Sequence, residues 1–229
     1  MLRTPRLPAL AVLLGAVGAA GCGDVGDAPE AETAAVEATA ASEDLTFTGT
    51  ALPIASTDST VTWIGAKLTG NHVGGFGQTD GVVYVDGAEV TGADVRIDMT
   101  SIYSDDDDLT GHLMSEDFFE VETYPEARFQ TAQLRPITEA DGVQSETATH
   151  MVTGRLTMHG QTNEVTFPAY VAYTDGGATV QASFLIDRTD WGINYPGMQD
   201  DLINDQVRIQ LDVATSDAAA EAAPDASSV

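Results

Sequence analysis

The chain has 229 residues, enough for one domain of about 150 residues with flanking segments. Its 36 acidic residues against nine basic ones give a formal charge of −27, which excludes a nucleic-acid partner because phosphate binding needs clustered lysine and arginine. A single cysteine excludes a disulfide scaffold and a cysteine-rich zinc site.

Residues 1–21 have the layout of an export signal. Two arginines precede an apolar run at residues 7–20, which is too short and too poorly flanked for a spanning helix. The sequence Ala19-Ala20-Gly21-Cys22 is similar to a bacterial lipobox, and this similarity implies cleavage before Cys22 and lipidation of that cysteine. The alternative is an ordinary cleaved signal followed by an incidental cysteine.

A lipidated Cys22 predicts a periplasm-facing lipoprotein of the bacterial cell envelope. Gly23 stands where some enteric bacteria carry the aspartate that retains lipoproteins at the inner membrane, so an outer-membrane location is favoured over an inner-membrane one. Residues 22–50 are rich in alanine and acidic residues with little periodicity, which predicts a lipidated cysteine followed by a disordered tether. Residues 215–229 predict a disordered tail for the same reason.

Residues 51–214 alternate between apolar and polar positions with a period of two. This pattern predicts about eight antiparallel strands with one buried face each, and it is clearest at residues 94–99, 151–158, 163–173, 178–186 and 206–214. Weaker candidates lie at residues 61–68, 81–85 and 128–134. Short helical turns are expected at residues 115–119 and 198–203. Eight such strands can close into a barrel or stack as a sandwich.

The interior of an eight-stranded barrel is just wide enough to be filled by side chains or to hold one small ligand. The predicted inward faces include the small residues Gly154, Ala169 and Ala182 among phenylalanine and leucine. Small residues between large ones favour a cavity. A fully packed barrel without a ligand is the alternative.

Four motifs resemble those of the YceI-like family. They are WIGAKLTGNHVGG at residues 63–75, GHLMSEDFFEV followed by YPEARF between residues 111 and 129, VTGRLTMHG at residues 152–160 and DRTDWGI at residues 187–193. Their order and spacing agree with the family over residues 57–213. The resemblance implies an all-β, eight-stranded, antiparallel, lipocalin-like β-barrel with an apolar tunnel that binds isoprenoid lipids. No enzymatic activity is established for this fold, so a non-enzymatic protein is expected.

The candidate site residues combine this resemblance with the strand alternation. The expected tunnel lining is Trp63, Phe118, Phe119, Phe129, Leu156, Phe167, Ala182, Phe184 and Trp191. Weaker candidates for contact with a polar head group are Lys67, His72 and Arg188. The alternative for each aromatic residue is ordinary core packing, and Phe118 with Phe119 could instead cap one end of the barrel.

Other clusters of polar residues carry weaker signals. The histidines His72, His112, His150 and His159 lack the spacing of a metal site, so structural hydrogen bonding is expected. The four aspartates at residues 105–108 lack the spaced order and the distal glutamate of a calcium loop, and they predict a solvated loop. No catalytic residue, metal or cofactor is predicted.

The sequence therefore predicts a non-enzymatic protein that binds, sequesters or transports an isoprenoid lipid or similar amphiphile, such as a polyprenyl phosphate or a quinone. A membrane is the second expected partner, through the acyl anchor on Cys22. The alternatives are a redox helper that presents a quinone to an electron-transfer partner and a structural barrel with a filled core. The sequence leaves the oligomeric state open, with a homodimer as one option.

Overall fold

The computed structural model describes residues 24–37, 41, 44–145, 147–174 and 176–215. The predicted signal, Cys22 and all but one residue of the predicted tail lie outside this described part. Within it there are thirteen strands: β1 (Glu32–Ala35), β2 (Thr50–Pro53), β3 (Thr60–Lys67), β4 (Gly70–Phe76), β5 (Thr79–Asp86), β6 (Glu89–Asp98), β7 (Ile102–Ser104), β8 (Glu126–Pro136), β9 (His150–Met158), β10 (Gln161–Thr174), β11 (Gly177–Asp187), β12 (Gly197–Met198) and β13 (Asp201–Ala214).

Helical structure is sparse. One α-helix, α1 (Asp107–Met114), lies between β7 and β8, and short 3-10 turns lie at Met99–Ser101, Glu139–Asp141 and Arg188–Trp191. Among the described residues, no helix has both the length and the apolar character needed to cross a bilayer.

The pairing of these strands closes into a ring. β5 follows β4 after two residues, and the two strands pair with consecutive parts of one partner, β5 with β6 and β4 with β7. Between these ladders, Gly77 N donates to Ser101 O at 3.0 Å and Asp98 N donates to Gln78 O at 3.1 Å. The β4–β5 and β6–β7 pairs are therefore two long, bent barrel strands.

The ring then runs through β3, β4–β5, β6–β7, β8, β9, β10, β11 and β13 and returns to β3, with antiparallel pairing throughout. The predicted all-β barrel class is confirmed. The number of strand segments exceeds the predicted eight because two barrel strands are bent and because β1, β2 and β12 are short additions to the ring.

The two ends of the barrel differ. The base, at the β5–β6 and β10–β11 turns, is closed by a cluster of buried side chains: Leu52, Ile54, Val83, Val85, Ala178 and Val213. The entrance, at the β3–β4 and β9–β10 turns, carries α1 and the β12–β13 hairpin. β2 contributes to the base because it pairs with β5 and continues to a bridge between Ile54 and Thr215.

The N-terminal segment differs from the predicted disordered tether. β10 and β11 pair only near the base, from the Ala169–Ala182 pair to the Thr174–Gly177 pair. Nearer the entrance, β1 occupies the gap: it pairs with β10, and Ala31 N donates to Leu185 O at 2.8 Å on β11. Backbone groups at an open gap need partners, and this segment supplies them despite its polar composition. We call this gap the β10–β11 seam.

The helical turn expected at residues 198–203 is wrong. Gly197 and Met198 instead pair with Leu202 and Asp201 in an antiparallel hairpin. Gly197 has a φ of 82°, a backbone conformation that residues other than glycine rarely adopt. This conformation favours a turn at this point. The expected turn at residues 115–119 follows the C-terminus of α1, where Phe118 N donates to Ser115 O at 3.1 Å.

Candidate functional site

The barrel interior contains a cavity of about 580 Å³. Its wall is apolar along the length of the barrel, and strands from the whole ring contribute side chains, among them Trp63, Phe76, Ile97, Phe129, Leu134, Leu156, Phe167, Val180, Phe184 and Ile209. The hydroxyl of Thr131, a polar group in this wall, accepts a hydrogen bond of 3.1 Å from Ala93 N. A dry wall of this kind suits a hydrocarbon chain.

The small residues on which the sequence-based expectation of a cavity rested do not form it. Gly154, Ala169 and Ala182 do not line it. A side chain at Gly154 would lie 2.3 Å from the Phe129 ring, so this glycine accommodates a neighbouring aromatic ring. The open volume instead lies among apolar side chains from the whole ring, such as Val95, Val180 and Ile209.

Aromatic rings form part of the wall. Phe167 and Phe184 stack with ring centroids 4.0 Å apart and planes at 12°, and Phe129 lies 5.9 Å from Phe167. Phe118 lies 5.1 Å from Tyr195 and 5.0 Å from His112 near the entrance. These ring contacts hold the aromatic side chains in the cavity wall.

Seven of the nine predicted lining residues lie on the cavity wall: Trp63, Phe118, Phe119, Phe129, Leu156, Phe167 and Phe184. Ala182 is partly buried and packs against the core without reaching the cavity. Trp191 is fully buried, and its Nε1 donates to Leu156 O at 3.0 Å, so it supports the wall from behind. Val180, Ile186 and Ile209 also lie on the wall; the alternation placed them inward, but the predicted lining did not include them.

The partly exposed, polar part of the lining identifies the opening. It comes from the end of β3, the start of β4, α1 and the β12–β13 hairpin, with Lys67, His72, Asp106, Asp108, His112, Asp201 and Asn204. These residues surround one end of the barrel. The cavity is therefore a blind tunnel, closed at the base and open at the entrance.

The three predicted head-group residues are already paired with carboxylates. Lys67 Nζ lies 3.0 Å from Asp201, and His72 Nδ1 lies 2.9 Å from Asp105. The hydrogen bond from Lys67 lowers the pKa of the Asp201 carboxyl, and the hydrogen bond from His72 lowers that of Asp105. Neither base is therefore free to neutralise an anionic ligand.

Arg188 is buried, and its guanidinium hydrogen-bonds to groups of the protein. Its guanidinium donates to Ile193 O at 2.5 Å, to Asn204 O at 3.2 Å and to Asp205 at 2.8 Å. Burial lowers the pKa of this guanidinium, and the charge of Asp205 opposes that effect. Arg188 thus fastens the 3-10 turn at residues 188–191 to the start of β13.

Of the four aspartates at residues 105–108, which are all exposed as expected, Asp105 and Asp106 lie in a loop and Asp107 and Asp108 begin a helix. Asp106 is the N-cap of α1 and accepts a hydrogen bond of 3.0 Å from Leu109 N. Asp107 and Asp108 lie in the first helical turn, where a negative charge is favourable. Within the described ranges, no group of three or more histidine, cysteine or acidic side chains is arranged to hold a metal ion.

The histidines form local hydrogen bonds. His112 Nε2 lies 2.9 Å from Asp117, and His159 Nδ1 lies 3.0 Å from the carbonyl oxygen of Trp191.

Trp63 carries an unsatisfied polar group, because its buried Nε1 has no hydrogen-bond partner among the described residues. An unpaired buried donor of this kind costs about 1–3 kcal/mol.

Comparison with known families gives one match that spans the barrel. The family described as YceI-like domain matches residues 52–215. A UPF0312 protein from Pseudomonas putida strain GB-1 is 33% identical over 132 residues, and one from strain W619 is 32% identical over the same length. Each alignment covers 54% of this chain and 65% of the relative, so the chain spans about two thirds of the length of the curated relatives it matches.

Two solved structures share the fold. Burkholderia cenocepacia BcnA has a TM-score of 0.58 at 21% identity, covering 71% of this chain and 99% of that chain. A polyisoprenoid binding domain from Saccharophagus degradans, implicated in plant cell wall breakdown, has a TM-score of 0.55 at 18% identity, covering 72% and 97% respectively. At sequence identities this low, the similarity shows a shared fold and nothing more.

Proposed function

Because the chain belongs to the YceI-like family, we propose that it binds one isoprenoid lipid, or a similar single-chain amphiphile, inside the barrel and catalyses no reaction on it. The observation that carries this proposal is the blind, apolar tunnel of about 580 Å³. A hydrocarbon tail fits such a tunnel from the entrance inward. A structural barrel with a filled core does not account for this volume.

The size of the tunnel sets the length of tail that it can hide. If each carbon-sized group takes roughly the volume of one liquid water, about 30 Å³, the tunnel holds about twenty such groups. Removing that many groups from water contributes on the order of 15 kcal/mol, at about 0.8 kcal/mol for each CH₂, before the cost of ordering the tail. Longer isoprenoids would leave part of the tail at the entrance.

The entrance favours an uncharged head group. Asp106, Asp108 and Asp201 line the opening, and Lys67 is held by Asp201. A phosphate would meet a group of carboxylates at the opening of a protein whose formal charge is −27. We therefore favour a quinone or a prenyl alcohol over a polyprenyl phosphate. The Saccharophagus degradans domain, described as polyisoprenoid binding, supports the choice of an isoprenoid tail.

The proposed place of action is the bacterial cell envelope, with the outer membrane favoured. It rests on the lipobox similarity that ends at Cys22. A lipid anchor would keep the barrel beside a bilayer, from which the ligand could enter.

The test is organic extraction of the purified protein followed by mass spectrometry. We expect about one isoprenoid per chain from the wild-type protein. Ile209→Trp, which places a larger side chain in the tunnel, should lower recovery, whereas Gln210→Trp on the opposite face of β13 should retain it. Recovery of no lipid from the wild-type protein, or full recovery from Ile209→Trp, would overturn the proposal.

A further inference from the structure

Three exposed apolar side chains lie together beside the tunnel entrance. Met198 is 70% exposed, Leu68 is 51% exposed and Leu202 is 48% exposed. Leu68 N donates to Leu202 O at 3.1 Å, so the β3–β4 turn and the β12–β13 hairpin adjoin. Isolated exposed apolar residues are common, but a group of them beside the opening of an apolar tunnel indicates an interaction surface. We call Leu68, Met198 and Leu202 the entrance rim.

The N-terminal segment begins at this same end of the barrel. Asn71, the second residue of β4, donates from Nδ2 to Asp24 O at 3.1 Å. The next residue, Val25, is only 4% exposed because it packs against Ala66 and Leu185. Asp24 is therefore fixed to the outside of the barrel, beside the entrance.

This attachment restricts where a lipidated Cys22 could lie. Cys22 precedes Asp24 by two residues, and a fully extended chain spans at most about 3.6 Å per residue. An acyl chain on this cysteine would emerge beside the entrance and away from the base.

We propose that the entrance end of the barrel docks on a lipid bilayer, with the entrance rim inserted among the lipid head groups and the anchor on Cys22 beside it. This orientation goes beyond the proposed function, because it specifies which face of the protein meets the membrane. It opens the tunnel directly onto the bilayer, so an isoprenoid tail can pass between them without crossing water.

The charge at the entrance indicates which bilayer this surface suits. Asp106, Asp108 and Asp201 lie at the opening and repel anionic lipids. The covalent anchor and the rim supply the attraction that electrostatics does not. The occupant of this surface is therefore a bilayer rich in zwitterionic lipid.

The experiment uses the full chain from Cys22 onward, coupled through this cysteine to a maleimide lipid in phosphatidylcholine vesicles. Cys22 is the only thiol, so the coupling is specific. Met198→Trp places a fluorophore in the rim, and Ala88→Trp places one in the exposed β5–β6 turn at the base. The signal of Trp63 and Trp191 is subtracted with the unsubstituted protein.

We expect vesicles with brominated acyl chains to quench most of the fluorescence added by Met198→Trp and little of that added by Ala88→Trp. No quenching at position 198, or equal quenching at both positions, would overturn the proposal. So would a dimer in sedimentation that Met198→Asp dissociates, because a second copy would then cover the rim. The readout does not require an occupied tunnel, so protein purified without lipid tests the docking separately from the proposed function.

Discussion

Trp191 donates a hydrogen bond of 3.0 Å from its indole nitrogen to the carbonyl oxygen of Leu156, and this bond fastens the 3-10 turn after β11 to the β9 wall of the tunnel. Trp191 has no exposed surface. Trp63, the second tryptophan, lies on the tunnel wall itself, and its indole nitrogen is buried without a partner among the described residues. The two side chains are alike in chemistry and opposite in hydrogen bonding.

This contrast predicts different costs for the same substitution. Trp191→Phe removes a satisfied donor and leaves a gap, so it should lower the free energy of unfolding by about 2 kcal/mol. Trp63→Phe removes an unsatisfied donor, so the lost packing is offset and the free energy of unfolding should change by less than about 1 kcal/mol. Urea unfolding followed by circular dichroism measures both variants. Equal losses of unfolding free energy in the two variants would contradict the different hydrogen bonding of the two indole nitrogens.

Substitutions at Phe184, which stacks on Phe167, should change both the stability of the fold and the retention of ligand. Phe184 is buried in the tunnel wall, so Phe184→Asp places an unpaired carboxyl there and should cost more than about 3 kcal/mol. Phe184→Leu should keep the fold and most of the bound lipid. The measurement is extracted lipid per folded chain, and retention of lipid by a folded Phe184→Asp variant would place the ligand elsewhere.

The alternation of apolar residues was enough to predict the antiparallel strands and the inward faces of β10 and β11, because burial on one face of a strand imposes a period of two. The choice of a barrel over a sandwich came from the family resemblance. It could not predict that β4–β5 is one bent strand, since the bend depends on pairing with β6 and β7. It also could not predict β1, whose polar sequence is ordered by the open β10–β11 seam. The pairing of Lys67 with Asp201 joins residues distant in sequence, and no local pattern contains it.

The seam itself gives a prediction about local opening. Ala31→Pro removes the N–H that donates to Leu185 O, whereas Ala31→Gly keeps that donor. We expect the proline variant to accelerate amide hydrogen exchange at Leu185 and along β1, because Leu185 N donates to the nearby Pro29 O. The glycine variant should exchange close to the wild-type rate. Unchanged protection in Ala31→Pro would mean that the segment does not close the seam in solution.

Acid sensitivity should depend on Asp94. Arg128 donates to this carboxylate at 2.9 and 2.6 Å and to Asp44 at 2.6 Å, which fastens the segment before β2 to the barrel. The hydrogen bond from Arg128 lowers the pKa of Asp94 below its ordinary value of 3.8. A lowered folded-state pKa means that the stabilisation is fully present above about pH 4 and is lost as the pH falls through the folded-state value.

The matching measurement is the free energy of unfolding between about pH 5 and pH 2. Asp94→Asn should be less stable than wild type at the upper end and should lose less stability on acidification. Asp86→Asn, at the exposed end of β5, is the control and should follow the wild-type curve. Parallel curves for Asp94→Asn and wild type would show that the ion pair does not contribute to acid sensitivity.

Head-group selectivity should change when Lys67 is released from Asp201. Asp201→Asn removes the carboxylate that lies 3.0 Å from Lys67 Nζ and leaves a free ammonium at the tunnel entrance. We expect the affinity for a prenyl phosphate, relative to a prenyl alcohol of equal length, to rise about tenfold, which corresponds to about 1.4 kcal/mol. Asp200→Asn is the matched control, because it changes the net charge equally at an exposed neighbouring residue outside the tunnel lining. Competition binding with the two ligands measures the ratio. If the phosphate-to-alcohol affinity ratio rises equally in both variants, net charge determines the selectivity. If it rises in neither, the Lys67–Asp201 ion pair does not affect the choice of head group.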